Sequence, residues 1–257
     1  MSIRRPIEYS MEKLSDVMKW RQESGATDLL DKLKLANGPD NAPEAVAQPD
    51  ALREGKAMVT LLNCGGCYWH GVTNTGKPIL WIRTNRLPWY PDVDAFVNAL
   101  ILLADTGISL MTSHTTDFVV FAETSTPPPP HPTFLVNLLR TLVKGYPDRL
   151  NTLMSAPTSS IMQFVMNLLM PLMPNRLSQK FFFLGAEESK KKMAEMLQNG
   201  EDDIPTFFGG KCDHDKLYPT EYYCPNRGKG ILKFDFFGMM ERLKEERDKF
   251  EASHEKD

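Results

Sequence analysis

The chain has 257 residues, of which 42% are hydrophobic, and a formal net charge of −3. This composition is sufficient for one large domain with a small appendage, and the lack of a basic excess argues against a nucleic-acid partner. The N-terminal residues lack the apolar segment of a signal peptide, and no run of 18 apolar residues occurs. We therefore expect a cytoplasmic protein that does not span a membrane.

The first predicted unit is a small helical hairpin over residues 8–36. Apolar residues recur at helical spacing between Met11 and Leu33, with Ser24-Gly25 as the turn between two helices. Residues 35–49 contain three prolines and have the composition of a linker. We expect a domain boundary in this stretch.

Residues 52–213 are predicted to form the main domain, because strand-like and helix-like patterns alternate there. The predicted strands cover residues 78–84, 117–123, 150–156 and 179–184, and the predicted helices cover residues 92–104, 133–143, 161–173 and 187–199. Gly107 is expected to close the first of these helices, and Thr133 is expected to cap the second. Such alternation predicts βαβ units with a largely parallel sheet, so the fold class is α/β.

The C-terminal extension, residues 214–257, contains a predicted charged helix that begins near Gly238. Met240, Leu243 and Phe250 lie on one side of this helix. We expect that apolar side either to pack back on the domain or to fray.

The most apolar predicted helix covers residues 161–173. Ser160 with Gln163 fits a capping box at its start, and Pro171 and Pro174 predict its end. At about 1.5 Å per residue it reaches roughly 20 Å, which is shorter than the roughly 30 Å hydrocarbon core of a bilayer.

Two interpretations of this methionine-rich helix remain open from the pattern alone. A helix that is apolar all round is most often buried in a core. Alternatively, it is a lid whose inner face contacts a hydrophobic ligand and whose outer face contacts a membrane surface. Its methionines are flexible and polarizable, which suits both interpretations.

Cys64 and Cys67 have the C-x-x-C spacing of dithiol redox sites, and they follow an apolar run at residues 57–63 that is consistent with a strand. A redox site of the thioredoxin kind opens a helix, whereas residues 68–78 are predicted to form a turn into a strand. The dithiol oxidoreductase interpretation is therefore disfavoured.

A zinc site that combines Cys64, Cys67 and His70 with Cys212 or His214 is also disfavoured, because no second close pair has finger or ribbon spacing. We therefore expect no metal. The sequence has no phosphate-cradling glycine loop and no G-x-S-x-G elbow, so no catalytic residues are predicted and we expect a protein that is not an enzyme.

The proline run at residues 127–130 is predicted to adopt polyproline II between a strand and a helix. It has no flanking basic residues, so a stiff connector is favoured over a docking site for an SH3-type partner.

Several short motifs, taken in order, resemble the CRAL-TRIO family of lipid-binding domains, which includes phosphatidylinositol transfer proteins and tocopherol transfer protein. The resemblance covers roughly residues 8–213. The motifs are Trp20-Arg21 with Gly25, His70-Gly71 with Gly76-Lys77-Pro78-Ile79, Tyr146-Pro147-Asp148-Arg149, Ala156-Pro157, Lys180 to Gly185, and Ile204-Pro205 with Gly209-Gly210.

The resemblance implies a mostly parallel sheet that forms the floor of an apolar cavity, covered by helices that include a mobile gate. It implies that residues 160–170 are this gate, with Ser160, Phe164, Val165, Leu168 and Leu169 as its residues. In relatives that bind phosphatidylinositol, an acidic residue and a lysine serve the headgroup, and these positions match Asp148 and Lys180, with Ser178 beside them.

The resemblance therefore implies binding and transfer of a hydrophobic ligand, most simply a phospholipid such as phosphatidylinositol, with transient membrane association and no cofactor besides the bound lipid. Leu177 stands where those relatives have a threonine, and the segment 175–179 is one residue longer, so a neutral ligand remains an alternative. A second alternative is a lipid-sensing module whose protein partner, which the sequence does not identify, docks on the proline run or the charged tail.

Overall fold

The structure is a computed structural model that describes residues 7–89, 92–112, 114–129, 131–217 and 236–254. Its helices are α1 (Ile7–Glu23), α2 (Leu29–Asn37), α3 (Pro43–Ala47), α4 (Pro49–Asn63), α5 (Val93–Ser109), α6 (Pro132–Arg140), α7 (Ser160–Leu169), α8 (Asn175–Ser178), α9 (Ala186–Met196), α10 (His214–Leu217) and α11 (Phe236–His254). Its strands are β1 (Cys67–Val72), β2 (Pro78–Arg83), β3 (Phe118–Glu123), β4 (Leu150–Ala156) and β5 (Phe181–Phe183).

Within the described residues, the strands form one sheet in the order β1-β2-β3-β4-β5. β1 and β2 are antiparallel, whereas β2 to β5 run parallel. The predicted α/β class with a mostly parallel sheet is therefore confirmed. Buried parallel strands need cover on both faces, and every residue of β3 is buried.

Alternation along β3 assigns residues to the two faces of the sheet. Phe118, Val120 and Ala122 face a cavity beneath α5, α6 and α7. Val119 and Phe121 point the opposite way, where Trp81 of β2 packs against Phe121 and the Phe207–Phe208 pair. We call these the cavity face and the distal face.

Two elements near residue 64 differ from the sequence prediction. Residues 57–63 are the end of helix α4, because its buried residues Met58, Leu61 and Leu62 have helical spacing and its Gly55 lies directly against the Lys32 carbonyl of α2. Residues 67–72 form strand β1 and not a turn. A bulge at Gly71, whose φ is +69°, interrupts the alternation of buried and exposed residues, so the sequence pattern did not indicate a strand.

Residues 35–49 are not a loose linker. They contain the end of α2 and the short helix α3, whose Ala45 is buried. Leu29 and Leu33 of α2 belong to the same core as the sheet. The domain boundaries assigned from the sequence remain predictions.

Gly107 does not end α5, which continues to Ser109. A side-chain carbon at this position would lie 2.2 Å from the Trp69 indole, so the residue permits close packing of α5 on β1. The glycine marks a packing contact inside the helix and not a C-cap.

The predicted caps of α6 and α7 are displaced. The N-cap of α6 is His131, whose Nδ1 accepts a hydrogen bond from the Phe134 amide at 3.4 Å, and not Thr133. The N-cap of α7 is Ser159, whose hydroxyl accepts from the Met162 amide at 3.3 Å, and not Ser160.

The N-terminal helix α1 is fastened to the domain by two of the motifs that the sequence singled out. Trp20 packs edge-on against Tyr146, with ring centroids 5.9 Å apart. Arg21 donates two hydrogen bonds of 2.8 Å to Asp105 of α5, and the Tyr146 hydroxyl donates to the same carboxylate at 2.7 Å. These motif residues therefore have a structural role.

The charged tail helix α11 packs against β1, and its Met240 and Leu243 are buried in the main core. The side chain of Phe250 lies outside the described residues. Among the described residues, none of the helices combines the length and the apolar character that a bilayer crossing requires.

Candidate functional site

A cavity of about 270 Å³ lies between the cavity face of the sheet and helices α5, α6 and α7. This volume is close to the lower end of the roughly 300–1,000 Å³ of small-molecule sites. Its floor includes Leu80, Ile82, Val120, Ala122, Leu153, Phe181 and Phe183, and its roof includes Phe96, Leu100, Leu135, Leu138, Met162, Val165, Met166 and Leu169.

Several polar side chains of the wall make hydrogen bonds within the protein. The hydroxyls of Thr124 and Ser155 lie 2.9 Å apart, and the Thr84 hydroxyl donates to the Glu123 carbonyl at 2.8 Å. Among the described lining residues there is no acidic residue, lysine or arginine. Because an unpaired polar group is costly in such surroundings, the cavity suits the apolar part of a ligand.

The proline run contributes to the cavity wall. Pro127, Pro128 and Pro129 follow β3 and line the cavity, whereas Pro130 lies outside the described residues. Prolines fix the backbone at a φ of about −65°, so this part of the wall is stiff. The geometry is that of the connector that the sequence favoured.

Helix α7 is apolar on both sides. Val165 and Leu169 are 9% exposed and face the cavity, whereas Phe164 is 59% and Leu168 38% exposed. Val165 and Leu169 form a small cluster with Leu135 and Met173 that is separate from the main core. The helix thus packs on α6 and on the cavity rim rather than within the core.

The structure divides the predicted gate residues between the two sides of α7. Val165 and Leu169 line the cavity, and Phe164 and Leu168 face outward. Ser160 is exposed in the first turn. Sequence reasoning found this helix from its composition, but not which residues face which side.

The three predicted headgroup residues lie outside the described lining of the cavity. Asp148 is exposed, adopts a φ of 62°, and lies 4.0 Å from Arg176. The Lys180 ammonium donates to the Leu150 carbonyl, and the Ser178 hydroxyl donates to the Asn175 carbonyl at 3.0 Å. Their role at a headgroup remains a prediction.

The sequence analysis did not identify the individual residues of the cavity floor. On β3 they follow the i, i+2 alternation that was visible in the sequence. On β4 a register shift opposite Phe118–Val119 places Leu150 and Leu153 on the same face, and the sequence pattern does not reveal this shift.

Cys64 and Cys67 are buried cysteines beyond the C-terminal end of α4. Cys64 donates to the Leu61 carbonyl at 2.9 Å, and Cys67 lines the cavity. Burial raises the pKa of the Cys67 thiol well above its usual range. Because the thiolate is the nucleophile in thiol–disulfide exchange, this environment disfavours the oxidoreductase interpretation.

The distal face carries a second group of buried polar side chains. The Tyr68 hydroxyl lies 2.8 Å from Nδ1 of His214, and the rings of His70 and His214 have centroids 4.5 Å apart. Burial lowers the pKa of His70 to about 4 and that of His214 to about 2, so both imidazoles are neutral at pH 7.

The zinc ligands considered from the sequence are divided between the two faces. One ligand atom each from His70, Cys212 and His214 lie within 4.8 Å of one another on the distal face. Cys67 points to the cavity instead. The set that the structure brings together is therefore not the set with the C-x-x-C spacing.

Comparisons with known proteins agree with this architecture. Residues 62–210 match the sequence model of the CRAL/TRIO domain. No curated protein matches the chain significantly. The crystal structure of Sfh5 superimposes with a TM-score of 0.52 at 17% sequence identity, covering 93% of this chain and 78% of Sfh5, which is a likeness of fold. The family match spans more than half of the chain, so this protein belongs to the CRAL/TRIO domain family.

Proposed function

We propose that the protein binds a hydrophobic lipid in the cavity beneath α7 and carries it between membranes, without catalysing a reaction. The binding unit is the predicted domain of residues 52–213, supported by residues 8–36 and 214–257. The observation that carries the proposal is an apolar cavity covered by a helix whose outer face is also apolar.

The energetics of a free lipid explain why such a carrier needs a closed cavity. Each methylene group costs about 0.8 kcal/mol in water, so a chain of ten loses about 8 kcal/mol on leaving a bilayer. An apolar wall recovers this free energy during transit. The satisfied hydroxyls of the wall leave few polar groups to oppose it.

Helix α7 is the proposed gate, within the predicted segment 160–170. Its ten residues are about 15 Å long, so it can lie in a membrane interface but cannot cross a bilayer. Its exposed Phe164 and Leu168 would enter the interface. Its inner residues would then exchange contacts with the cavity for contacts with lipid chains.

We propose a phospholipid such as phosphatidylinositol as the ligand, with Asp148, Ser178 and Lys180 at its headgroup. The Lys180 ammonium would exchange the Leu150 carbonyl for a phosphate oxygen, and charge-assisted hydrogen bonds of this kind are stronger than neutral ones. A neutral hydrophobic ligand is the alternative, because Leu177 replaces a threonine of the relatives. The proposed location is the cytoplasm, with transient membrane association.

The test is transfer of labelled phosphatidylinositol between liposomes, together with mass spectrometry of lipid that copurifies with the protein. Ala122 lines the cavity floor, so Ala122→Phe should fill the cavity and abolish both copurified lipid and transfer. Ala186→Phe adds the same ring at an exposed position outside the lining and should leave both unchanged. A folded Ala122→Phe protein with normal transfer would refute the cavity as the binding site.

Copurified lipid without measurable transfer would instead favour the lipid-sensing module. The proline run lines the cavity and α11 packs against β1. Both surfaces suggested for a docking partner thus make contacts within the chain itself, which argues against the lipid-sensing module.

A further inference from the structure

We propose that His70, Cys212 and His214 bind a divalent transition-metal ion of the zinc type on the distal face of the sheet. One ligand atom from each of the three side chains lies within 4.8 Å of the others. Tetrahedral zinc with bonds of about 2.0–2.3 Å separates its ligands by about 3.3–3.8 Å, so side-chain movements of about 1 Å complete the geometry.

The backbone holds Cys212 in this position. Its amide donates to the Ile204 carbonyl at 3.0 Å, and its carbonyl accepts from the Thr206 amide at 2.9 Å. Gly210 packs so closely on Ile204 that a side-chain carbon would lie 2.0 Å from the Ile204 carbonyl oxygen. The loop that carries Cys212 and leads into α10, whose first residue is His214, is thus closed onto itself next to β1, which carries His70.

His214 supplies an independent indication of a missing ligand. Its side chain is 1% exposed, and its Nε2 atom has no hydrogen-bond partner among the described residues. An unpaired buried polar atom destabilises the fold, so a ligand that pairs with it is favoured. Its Nδ1 atom contacts the Tyr68 hydroxyl at 2.8 Å, and a ligating histidine is commonly oriented by such a bond to its other nitrogen.

The donor set selects the class of metal. Two imidazole nitrogens and one thiolate sulfur suit zinc, and three protein ligands leave a fourth position for water. His70 and Cys212 are only partly buried, so an ion can reach them from solvent. The Asp203 carboxylate acts electrostatically on both His70 and Cys212, and its negative charge favours a cation.

The Asp215 carboxylate offsets one of the two positive charges that Arg83 and Arg86 place beside the site. Arg83 and Arg86 both donate to the Asp215 carboxylate, at 2.6 and 2.5 Å. The guanidinium of Arg83 also stacks on the Phe207 ring at 4.3 Å.

This site is separate from the lipid cavity. Cys67 and Trp69 of β1 point to the cavity face, so Tyr68 and His70 point to the distal face. A metal ion here would join β1 to the loop before α10. The proposal stands or falls independently of lipid transfer.

The test uses the full chain without an affinity tag, treated with a chelator and then titrated with Co²⁺ as an optical substitute for Zn²⁺. We expect one equivalent of Co²⁺ to give tetrahedral d–d bands and a thiolate-to-metal charge-transfer band, both displaced by Zn²⁺. Cys212→Ser should abolish the charge-transfer band and weaken Zn²⁺ binding at least about 10-fold. Cys64→Ser, which keeps a donor for the Leu61 carbonyl, is the matched control and should change neither.

His70→Gln gives a second variant whose side chain is only partly buried, so binding can be measured even if one substitution perturbs the fold. Thermal unfolding of the wild type should shift upward with Zn²⁺, because a ligand of the native state stabilises it, and both variants should lose the shift. Equal Co²⁺ spectra in wild type and Cys212→Ser, or tight Zn²⁺ binding that survives both substitutions, would overturn the site.

Discussion

Helices α5 and α7 are both strongly apolar and both line the cavity, but they differ in how they are held. α5 buries residues along most of its length, from Ala95 to Ala104, in the main core. α7 buries Val165 and Leu169 in a small separate cluster and exposes Phe164 to solvent.

The difference teaches that apolar content does not identify a core helix. α5 is also fixed by polar contacts, because Asp92 caps its N-terminus at 2.9 Å and Asp105 binds Arg21 of α1. α7 has a serine cap but no ion pair among the described residues. α5 is therefore suited to form a fixed wall of the cavity. α7, which is held by fewer contacts, is suited to be the proposed gate.

A leucine-to-alanine substitution in each helix tests whether α7 is packed less tightly than α5. Leu103 of α5 is 1% exposed, so Leu103→Ala should lower the free energy of unfolding by about 2–5 kcal/mol. Leu169→Ala in α7 should cost less than half as much, because its side chain borders an existing cavity. Chemical denaturation measures both values, and equal losses would make α7 an ordinary core helix.

A charge on the outer face of α7 should affect transfer more than stability. Phe164→Asp should change the free energy of unfolding by no more than about 0.5 kcal/mol, as for most surface substitutions. It should slow transfer between liposomes by about 10-fold, because a carboxylate resists entry into hydrocarbon.

Gln163→Asp is the matched control, because it places the same charge on an exposed neighbour of the same helix. It should reduce transfer less than Phe164→Asp does. Unfolding of Phe164→Asp, or equal effects of the two substitutions, would contradict the gate.

The headgroup assignment predicts a smaller effect. Lys180→Ala should lower binding of phosphatidylinositol by a few-fold, roughly the 1 kcal/mol of one hydrogen bond, while the thermal midpoint changes little. Lys191→Ala removes the same charge at an exposed position of α9. Unchanged phosphatidylinositol binding in Lys180→Ala would leave Lys180 as a structural residue that holds the Leu150 carbonyl.

The smallest expected effect concerns Leu177, which is half-buried and packs at the edge of both hydrophobic clusters. Leu177→Thr restores the hydroxyl of the relatives and should raise phosphatidylinositol affinity by about two- to five-fold if the headgroup lies there. Leu177→Ala loses the same packing without gaining a hydroxyl. Equal affinity of the two variants would place the headgroup elsewhere.

The sequence predicted those parts of the fold whose signals are local. Strands β3 and β4 were found within a residue, because each is a short segment with apolar residues that is bounded by turn residues. The run at the end of α4 was misassigned, because seven residues of which five are apolar look alike in a strand and in the last turns of a helix. The residues that pack against α4, among them Lys32 of α2, are distant from it in sequence.

The cavity was predictable only through the family motifs, because a void is a property of packing and not of composition. The distal cluster was beyond sequence reasoning for another reason. His70 is separated by more than 140 residues from Cys212 and His214, and only the pairing of β1 with β2 and the closed loop at Ile204–Cys212 bring them together.

The alkylation rate of the Cys67 thiol offers a measure of how often the cavity opens under the proposed gating. Its thiol lines the cavity and is kept protonated by burial, so an alkylating reagent must enter the cavity before it can react. When closing is faster than alkylation, the observed labelling rate is the intrinsic rate multiplied by the fraction of open molecules. Under the proposed gating by α7, labelling of Cys67, resolved from the other three cysteines by peptide mass spectrometry, would measure the fraction of open molecules, and lipid in the cavity should slow it.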